Sequence, residues 1–316
     1  KKYAAAGSSC IQRYYLEGKD STFSSARWTN GWNRGKIIQL STMKWRKTME
    51  LKVMTWNIQG AAVLSWNKSY EIKKELVDKI FDQKADVAVL TELVISKGWD
   101  YFQERLEDND YIWFMTNRTG KNGILIFIKK HLVDKKKLVH SLYQGNTILS
   151  NTDDCNILRV TLPVFQNKTL TLMGVRMETG TTEASKVSLK AQYDAERKAL
   201  DQVLFPKIEP PNDMYIVCGD FNNARCLGDL TKRFNLEDYQ GYAQSGYNLN
   251  IIKDAFDGIG FTMADIGDTN RGIPSWRGYI PNDHIFVRGF ENIKQCERES
   301  ADSLSDHDII WAKLEY

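Results

Sequence analysis

Apolar residues recur along this chain in two rhythms from about Leu51 onward. Ile72, Leu76 and Ile80, joined by Val77 and Phe81, fall on one face at helical spacing and predict an amphipathic helix. Trp99 to Leu106 predicts a second, shorter helix. Ala184 to Leu204 is rich in helix formers and stops before Pro206, and Asn248 to Phe256 predicts a further helix. Between these stand short apolar runs of strand type at Tyr111 to Met115, Gly123 to Ile128, Ile157 to Pro163 and Thr169 to Val175. Another begins at Met214 after the turn signal Pro210-Pro211-Asn212-Asp213, and the last two start from Asp283 and Asp308. Gly120 to Gly123 reads as a tight connection, and no internal repeat is present. Strands in hairpin-like pairs with helices between them predict an α/β fold of mixed sheets, two of them packed together with helices outside.

The functional interest lies at the ends of these runs. Met54-Thr55-Trp56-Asn57-Ile58-Gln59-Gly60 is strand-like and ends in an amide and a glycine. Ala85 to Thr91 is closed by Glu92. Tyr215-Ile216-Val217-Cys218 breaks at Gly219 and delivers Asp220 and Asn222. Asp283 enters the run His284-Ile285-Phe286-Val287, and Ser305-Asp306-His307-Asp308 precedes Ile309-Ile310-Trp311-Ala312. Strand ends are where a rigid scaffold meets solvent, so functional groups gather there. Five endings supplying acid, amide or imidazole suit one hard divalent cation and a phosphate. His284 alternates with Asp283 and so points to the opposite face, which assigns it a structural role.

This ordered series resembles the endonuclease/exonuclease/phosphatase superfamily over Leu51 to Tyr316, most specifically in Thr55-Trp56-Asn57-Ile58, Gly219-Asp220-Phe221-Asn222 and Ser305-Asp306-His307. The resemblance implies the four-layer α/β sandwich of deoxyribonuclease I type. It also implies a phosphodiesterase dependent on Mg2+ or Mn2+ that attacks phosphorus in line with water. Glu92 is the implied metal ligand, with Asn57 and Asp306 close by, directly or through water. Asp220, Asn222, Asp283 and His307 are the implied catalytic groups, Asp283 fixing the ring of His307. Whether Asp220 or His307 takes the proton from water stays open at this level. A nuclease is the first expectation, with a phosphatase or lipid phosphodiesterase, or a binding protein that has lost turnover, as alternatives.

One position departs from the family pattern. Where many members carry His or Tyr before the long helix, Gly174-Val175-Arg176-Met177-Glu178 places Arg176. A guanidinium fork can clamp a phosphate; the alternatives are an exposed strand end or a drifted site. Trp276 and Arg277 match a loop that touches nucleic acid in nuclease members. Trp276 would stack on a base and Arg277 reach a phosphate, or the indole would pack the loop down.

Composition adds little. The net charge of +3 is too small to argue for nucleic acid by itself, and Lys129-Lys130 with Lys135-Lys136-Lys137 reads best as a solvated turn. Five scattered cysteines without a Cys-x-x-Cys pair disfavour zinc and a disulfide framework. A reducing cytoplasm, a monomer and no membrane span are expected. The first 48 residues lack apolar period beyond Lys36 to Leu40, a candidate strand. They are expected to be an extension to a single catalytic domain at 49–316, or an arm over its active face.

Overall fold

β1 (Glu50–Asn57), β2 (Val87–Leu93), β3 (Tyr111–Met115) and β4 (Gly123–Lys129) form where the apolar runs predict strands, and all four belong to one sheet. α1 (Lys74–Asp82) and α2 (Trp99–Asp108) connect the first three of these strands. β5 (Ser141–Gln144), β6 (Asn156–Pro163), β7 (Thr169–Arg176) and β8 (Met214–Asp220) lie in a second sheet. They are followed by α3 (Leu249–Asp257), β9 (Thr262–Met263), β10 (Asp283–Arg288), β11 (Asn292–Glu299) and β12 (Ile309–Glu315). The structure, a computed structural model, describes residues 49–59, 70–116, 123–133, 141–144, 156–163, 168–177, 214–222, 249–265, 275 and 281–316. The expected helix at Ala184 to Leu204, the candidate strand at Lys36 to Leu40, Lys135 to Lys137, Trp276 and Arg277 lie outside them. The described residues all fall within one unit, Lys47–Tyr316.

The sheets have strand orders β11-β12-β1-β2-β4-β3 and β5-β6-β7-β8-β10-β9. Each is mixed: β1 pairs parallel with β2 and β7 parallel with β8, while the other ladders are antiparallel. Three apolar layers follow from the alternation of side chains along each strand. Between the sheets, Val53, Val87, Val89 and Ile126 of the first meet Leu158, Leu172, Ile216, Cys218 and Ile285 of the second. On the outer face of the first sheet, Leu76, Ile80, Phe102 and Leu106 of α1 and α2 cover Met54, Trp56, Leu90 and Phe127. On the outer face of the second, Ile252 and Phe256 of α3 cover Tyr215, Val217 and Phe286. The arrangement is the four-layer sandwich of deoxyribonuclease I type. Among the described residues no helix is long and apolar enough to cross a membrane.

A Cβ on Gly174 would sit 2.5 Å from Ile124 Cγ2 and 2.9 Å from Val89 Cγ1, so glycine permits this approach of the sheets. On the neighbouring strand, small, buried Cys218 pairs in register with Gly174. The next inward-facing residues along these strands are Arg176, Asp220 and Asn57.

Candidate active site

Alternation places the chemistry. Leu172 and Gly174 face inward on β7, so Arg176 does too; Ile216 and Cys218 bring Asp220 inward on β8; Ile285 and Val287 bring Asp283 inward on β10. Register aligns these three side by side, Arg176 with Asp220 and Asp220 with Asp283. One strand end of the second sheet therefore presents a guanidinium and two carboxylates in a row.

The first sheet meets this row with three polar contacts. Asn57 Nδ2 donates to Asp220 Oδ2 at 2.8 Å. Arg176 Nη2 donates to Glu92 Oε1 at 3.1 Å. His307 Nδ1 stands 2.6 Å from Asp283 Oδ2. In each pair, one member comes from or leads into a strand of each sheet. Asp306 completes the group, its Oδ1 3.9 Å from His307 Nε2. Asn57, Glu92, Arg176, Asp220, Asn222, Asp283, Asp306 and His307 are thus joined at one rim, mostly by direct contacts.

Local devices aim these groups. Asp220 Oδ1 accepts the Asn222 backbone N–H at 2.9 Å, and Asn222 Nδ2 donates to Asp220 Oδ2 at 3.0 Å and to the Met177 carbonyl at 2.5 Å. Gly219 has φ of +145°, and a Cβ there would fall 1.9 Å from the Val175 carbonyl oxygen, so no other residue fits the turn into Asp220. Glu92 is a different case. Val87 and Val89 face inward, so plain alternation would send Glu92 outward with Leu90. One extra residue between Leu90 and Leu93 bulges the strand against β4, and Glu92 takes φ of +57°. The bulge turns the carboxylate toward Arg176, a use to which bulges beside active sites are often put. Asn222 and Gln59 share this left-handed conformation, with φ of +50° and +48°. Strained backbone of this kind gathers at functional sites.

Supporting residues hold the imidazole. Trp56 Nε1 donates to the His307 carbonyl at 2.7 Å, and Ser305 Oγ accepts the His307 N–H at 3.1 Å while donating to the Asn57 carbonyl at 2.7 Å. Ser275 Oγ accepts the backbone N–H groups of Asn282 and Asp283 at 3.2 and 3.0 Å, and its carbonyl accepts the Asp308 N–H at 2.8 Å. Ser275 therefore ties the acid of one strand to the histidine segment of another. Sequence reading missed it, because a lone serine in a loop carries no periodic signal.

Electrostatics follow from this crowding. Burial, then the Asp283 carboxylate, pushes Asp220 up to about 7 against the pull of His307 and Arg176. Burial works to lower the His307 pKa, but the carboxylates of Asp283, Asp220 and Asp306 override it and raise it to about 10. The ring is cationic at neutral pH. Four carboxylates (Glu92, Asp220, Asp283, Asp306) face two cations (Arg176, His307), which leaves two negative charges uncompensated when all are ionised. Asp283 Oδ1 is buried without a hydrogen-bond partner among the described residues. This excess of oxygen-borne negative charge fits a hard divalent cation. Ligand atoms of Asp220, Asp283 and His307 lie within 4.8 Å of one another. Hydrogen bonding already engages them, and His307 Nδ1 is committed to Asp283. Glu92, expected from the sequence as the metal ligand, is likewise engaged, by Arg176. His284 lies on the outer face among Phe221 and Phe286, with ring centroids 5.7 and 5.9 Å away, and burial lowers its pKa to about 4.

A two-sheet sandwich whose strand ends converge acids, amides and an imidazole defines a protein of the deoxyribonuclease I-like fold. The profile of the endonuclease/exonuclease/phosphatase family matches residues 54–307, and the chain belongs to that family. Its fold is similar to that of truncated TDP2 from Caenorhabditis elegans, at 14% identity and TM-score 0.51, covering 84% of this chain and 98% of that one. An endonuclease/exonuclease/phosphatase from Beutenbergia cavernae aligns at 17% identity and TM-score 0.54, covering 84% and 71%. A Cimex nitrophorin in a ferrous NO complex aligns at 14% identity and TM-score 0.50, covering 84% and 98%. No curated protein matches the chain.

Proposed function

We propose that this protein is a divalent-metal-dependent phosphodiesterase that hydrolyses phosphoester bonds of nucleic acid by in-line attack of water. The observation that carries this reading is the triple bridge at the rim: Asn57 to Asp220, Arg176 to Glu92 and His307 to Asp283. A fold can be inherited without its chemistry, but this chain keeps acid, amide, guanidinium and imidazole groups paired across the two sheets.

Glu92 would hold Mg2+ or Mn2+, with Asn57 and Asp306 beside it. When bound, such an ion supplies positive charge at a phosphoryl oxygen and stabilises the transition state. The other roles belong to the chain. Asp220, with a pKa near neutrality, is matched to accept a proton from water. Asn222, whose amide donates to the Met177 carbonyl and to Asp220 Oδ2, holds that carboxylate in place. His307, cationic and fixed by Asp283, donates to the phosphate rather than serving as base. In this reading the proton from water goes to Asp220 rather than to His307.

Nucleic acid is favoured over a lipid ester because Ile95 is the sole exposed large hydrophobic residue among those described, which leaves no apolar surface there for a membrane. The Trp276-Arg277 pair supplies stacking and a phosphate contact in this reading. The test offers the full chain plasmid DNA, single-stranded DNA, RNA, sphingomyelin and inositol phosphates with Mg2+, Mn2+ or EDTA, with Asp220→Ala and His307→Ala as controls. Metal-dependent cleavage of nucleic acid alone is expected, falling at least ~100-fold in either variant. Turnover confined to a lipid or inositol ester would replace the substrate class. Inertness toward every substrate, with nucleic acid still bound, would leave a binding protein on this fold.

A further inference from the structure

We infer that the Arg176 guanidinium is the resident counter-cation of Glu92, and that it sets the metal affinity of the site by having to yield that carboxylate when a divalent ion binds. The inference rests on the reading of Glu92 as a metal ligand and concerns how access to that ligand is controlled.

Three observations support it. The pair is close and shielded: Nη2 stands 3.1 Å from Oε1, and the side chains are 10% and 21% exposed. Both partners are placed by backbone rather than by chance rotamers. Arg176 ends β7 in register with Asp220, and Glu92 is turned inward by the β2 bulge and its positive φ. Finally, Arg176 Nε is buried without a hydrogen-bond partner among the described residues, so the guanidinium is incompletely satisfied where it stands. Such a group can still donate to a further acceptor.

A guanidinium keeps its proton throughout the accessible pH range, so its charge leaves Glu92 only if the side chain moves. A dication coordinated by Glu92 would face that positive charge at a few ångströms in a shielded setting, where repulsion is strong. A bound dication would therefore draw Arg176 off Glu92, and the freed fork would be in place to clamp a phosphate ester bidentately. By linkage, whatever draws Arg176 off Glu92 also strengthens metal binding. Family members with His or Tyr at this position carry no obligatory cation there; this chain has one.

The test measures Mn2+ binding to the full chain by electron paramagnetic resonance of the free aquo ion, with no substrate present. Arg176→Gln removes the competing charge and is expected to bind Mn2+ about tenfold more tightly or better. Arg176→Lys keeps a cation and is expected to stay within about threefold of the parent. Glu92→Gln is expected to weaken binding by at least about tenfold. If Arg176→Gln, folded by circular dichroism, binds Mn2+ no more tightly than the parent while Glu92→Gln weakens it, the inference fails and the ligand assignment stands. If Glu92→Gln leaves the affinity unchanged, the ligand assignment itself fails, and the inference with it. Should the Gln variant not fold, Arg176→Met retains the apolar stem without charge and carries the same expectation.

Discussion

Replacing Asn57 by aspartate would test the convergence of the two sheets directly. The substitution keeps the shape of the side chain and changes only the group that faces Asp220. Asn57 Nδ2 now donates to Asp220 Oδ2 at 2.8 Å, and both residues are about 1% exposed. In Asn57→Asp, two carboxylate oxygens meet at that distance. At an effective dielectric of about 20 the repulsion between two unit charges so placed is roughly 6 kcal/mol, which is a ceiling. The pair escapes part of it by holding a proton, and Asp220 is already disposed to do so, since its pKa is pushed up to about 7. The sign follows. At pH 8 the folded variant must either keep two facing charges or hold a proton that the unfolded chain releases, so it is destabilised by about 3–5 kcal/mol, the usual penalty for an uncompensated buried charge. At pH 5 one carboxyl is protonated and donates to the other, and the penalty shrinks to about 1 kcal/mol. At about 2–4 °C per kcal/mol, Tm falls by roughly 10 °C at pH 8 and by a few degrees at pH 5, measured against the parent at each pH in EDTA. An equal loss at both pH values would show that Asn57 does not face Asp220, and the reasoning about the rim would fail.

Three further outcomes follow from single contacts. Ser275→Ala leaves the Asn282 and Asp283 backbone N–H groups without their acceptor; urea denaturation should show a loss of about 1–3 kcal/mol, and steady-state kinetics a larger fall in kcat than rise in KM, because Asp283 loosens around His307. Gly174→Ala drives a methyl against Ile124 and Val89, so the urea midpoint should fall by the equivalent of about 1–3 kcal/mol, and an unchanged midpoint would mean the sheets are farther apart here. His284, buried and with its pKa lowered to about 4, is neutral when folded; its contribution is fully present above pH 6.5 and is lost as pH falls through about 4, a swing of roughly 3 kcal/mol. His284→Gln should flatten that part of the acid limb in chemical denaturation, and an acid limb identical to the parent's would remove His284 as its source.

How much of this was legible in the sequence depended on the rule that each element obeys. Period-two alternation is a property of the strand itself, so placing Asp283 opposite His284 needed no tertiary information. The same holds for Asp220, on the face of Cys218 and Ile216. Glu92 was recognisable as a strand-end acid, but its direction was not, because a bulge reverses the face that alternation assigns. The Arg176–Glu92 pair was equally out of reach: the two residues are 84 positions apart and meet only through sheet packing. β11 escaped notice because it is an edge strand with a polar sequence, its only buried residue being Cys296, so it lacks the apolar signal that marks the others.

The position of the site follows from the core, and this explains why short side chains suffice to build it. Stacked sheets ordinarily stand about 10 Å apart, a gap that an asparagine on one and an aspartate on the other only just span. Here the strands carry small residues one step inside the rim: Gly174, where a Cβ would meet Ile124 and Val89, and Cys218 beside it in register. The next inward residues, Asn57, Asp220 and Arg176, lie within hydrogen-bonding distance of partners across the gap. Enlarging Gly174 therefore does more than strain the core. It pries apart the rim where Arg176 meets Glu92, so Gly174→Ala should loosen that pair as well as lower stability, although the glycine bears no chemical group of its own.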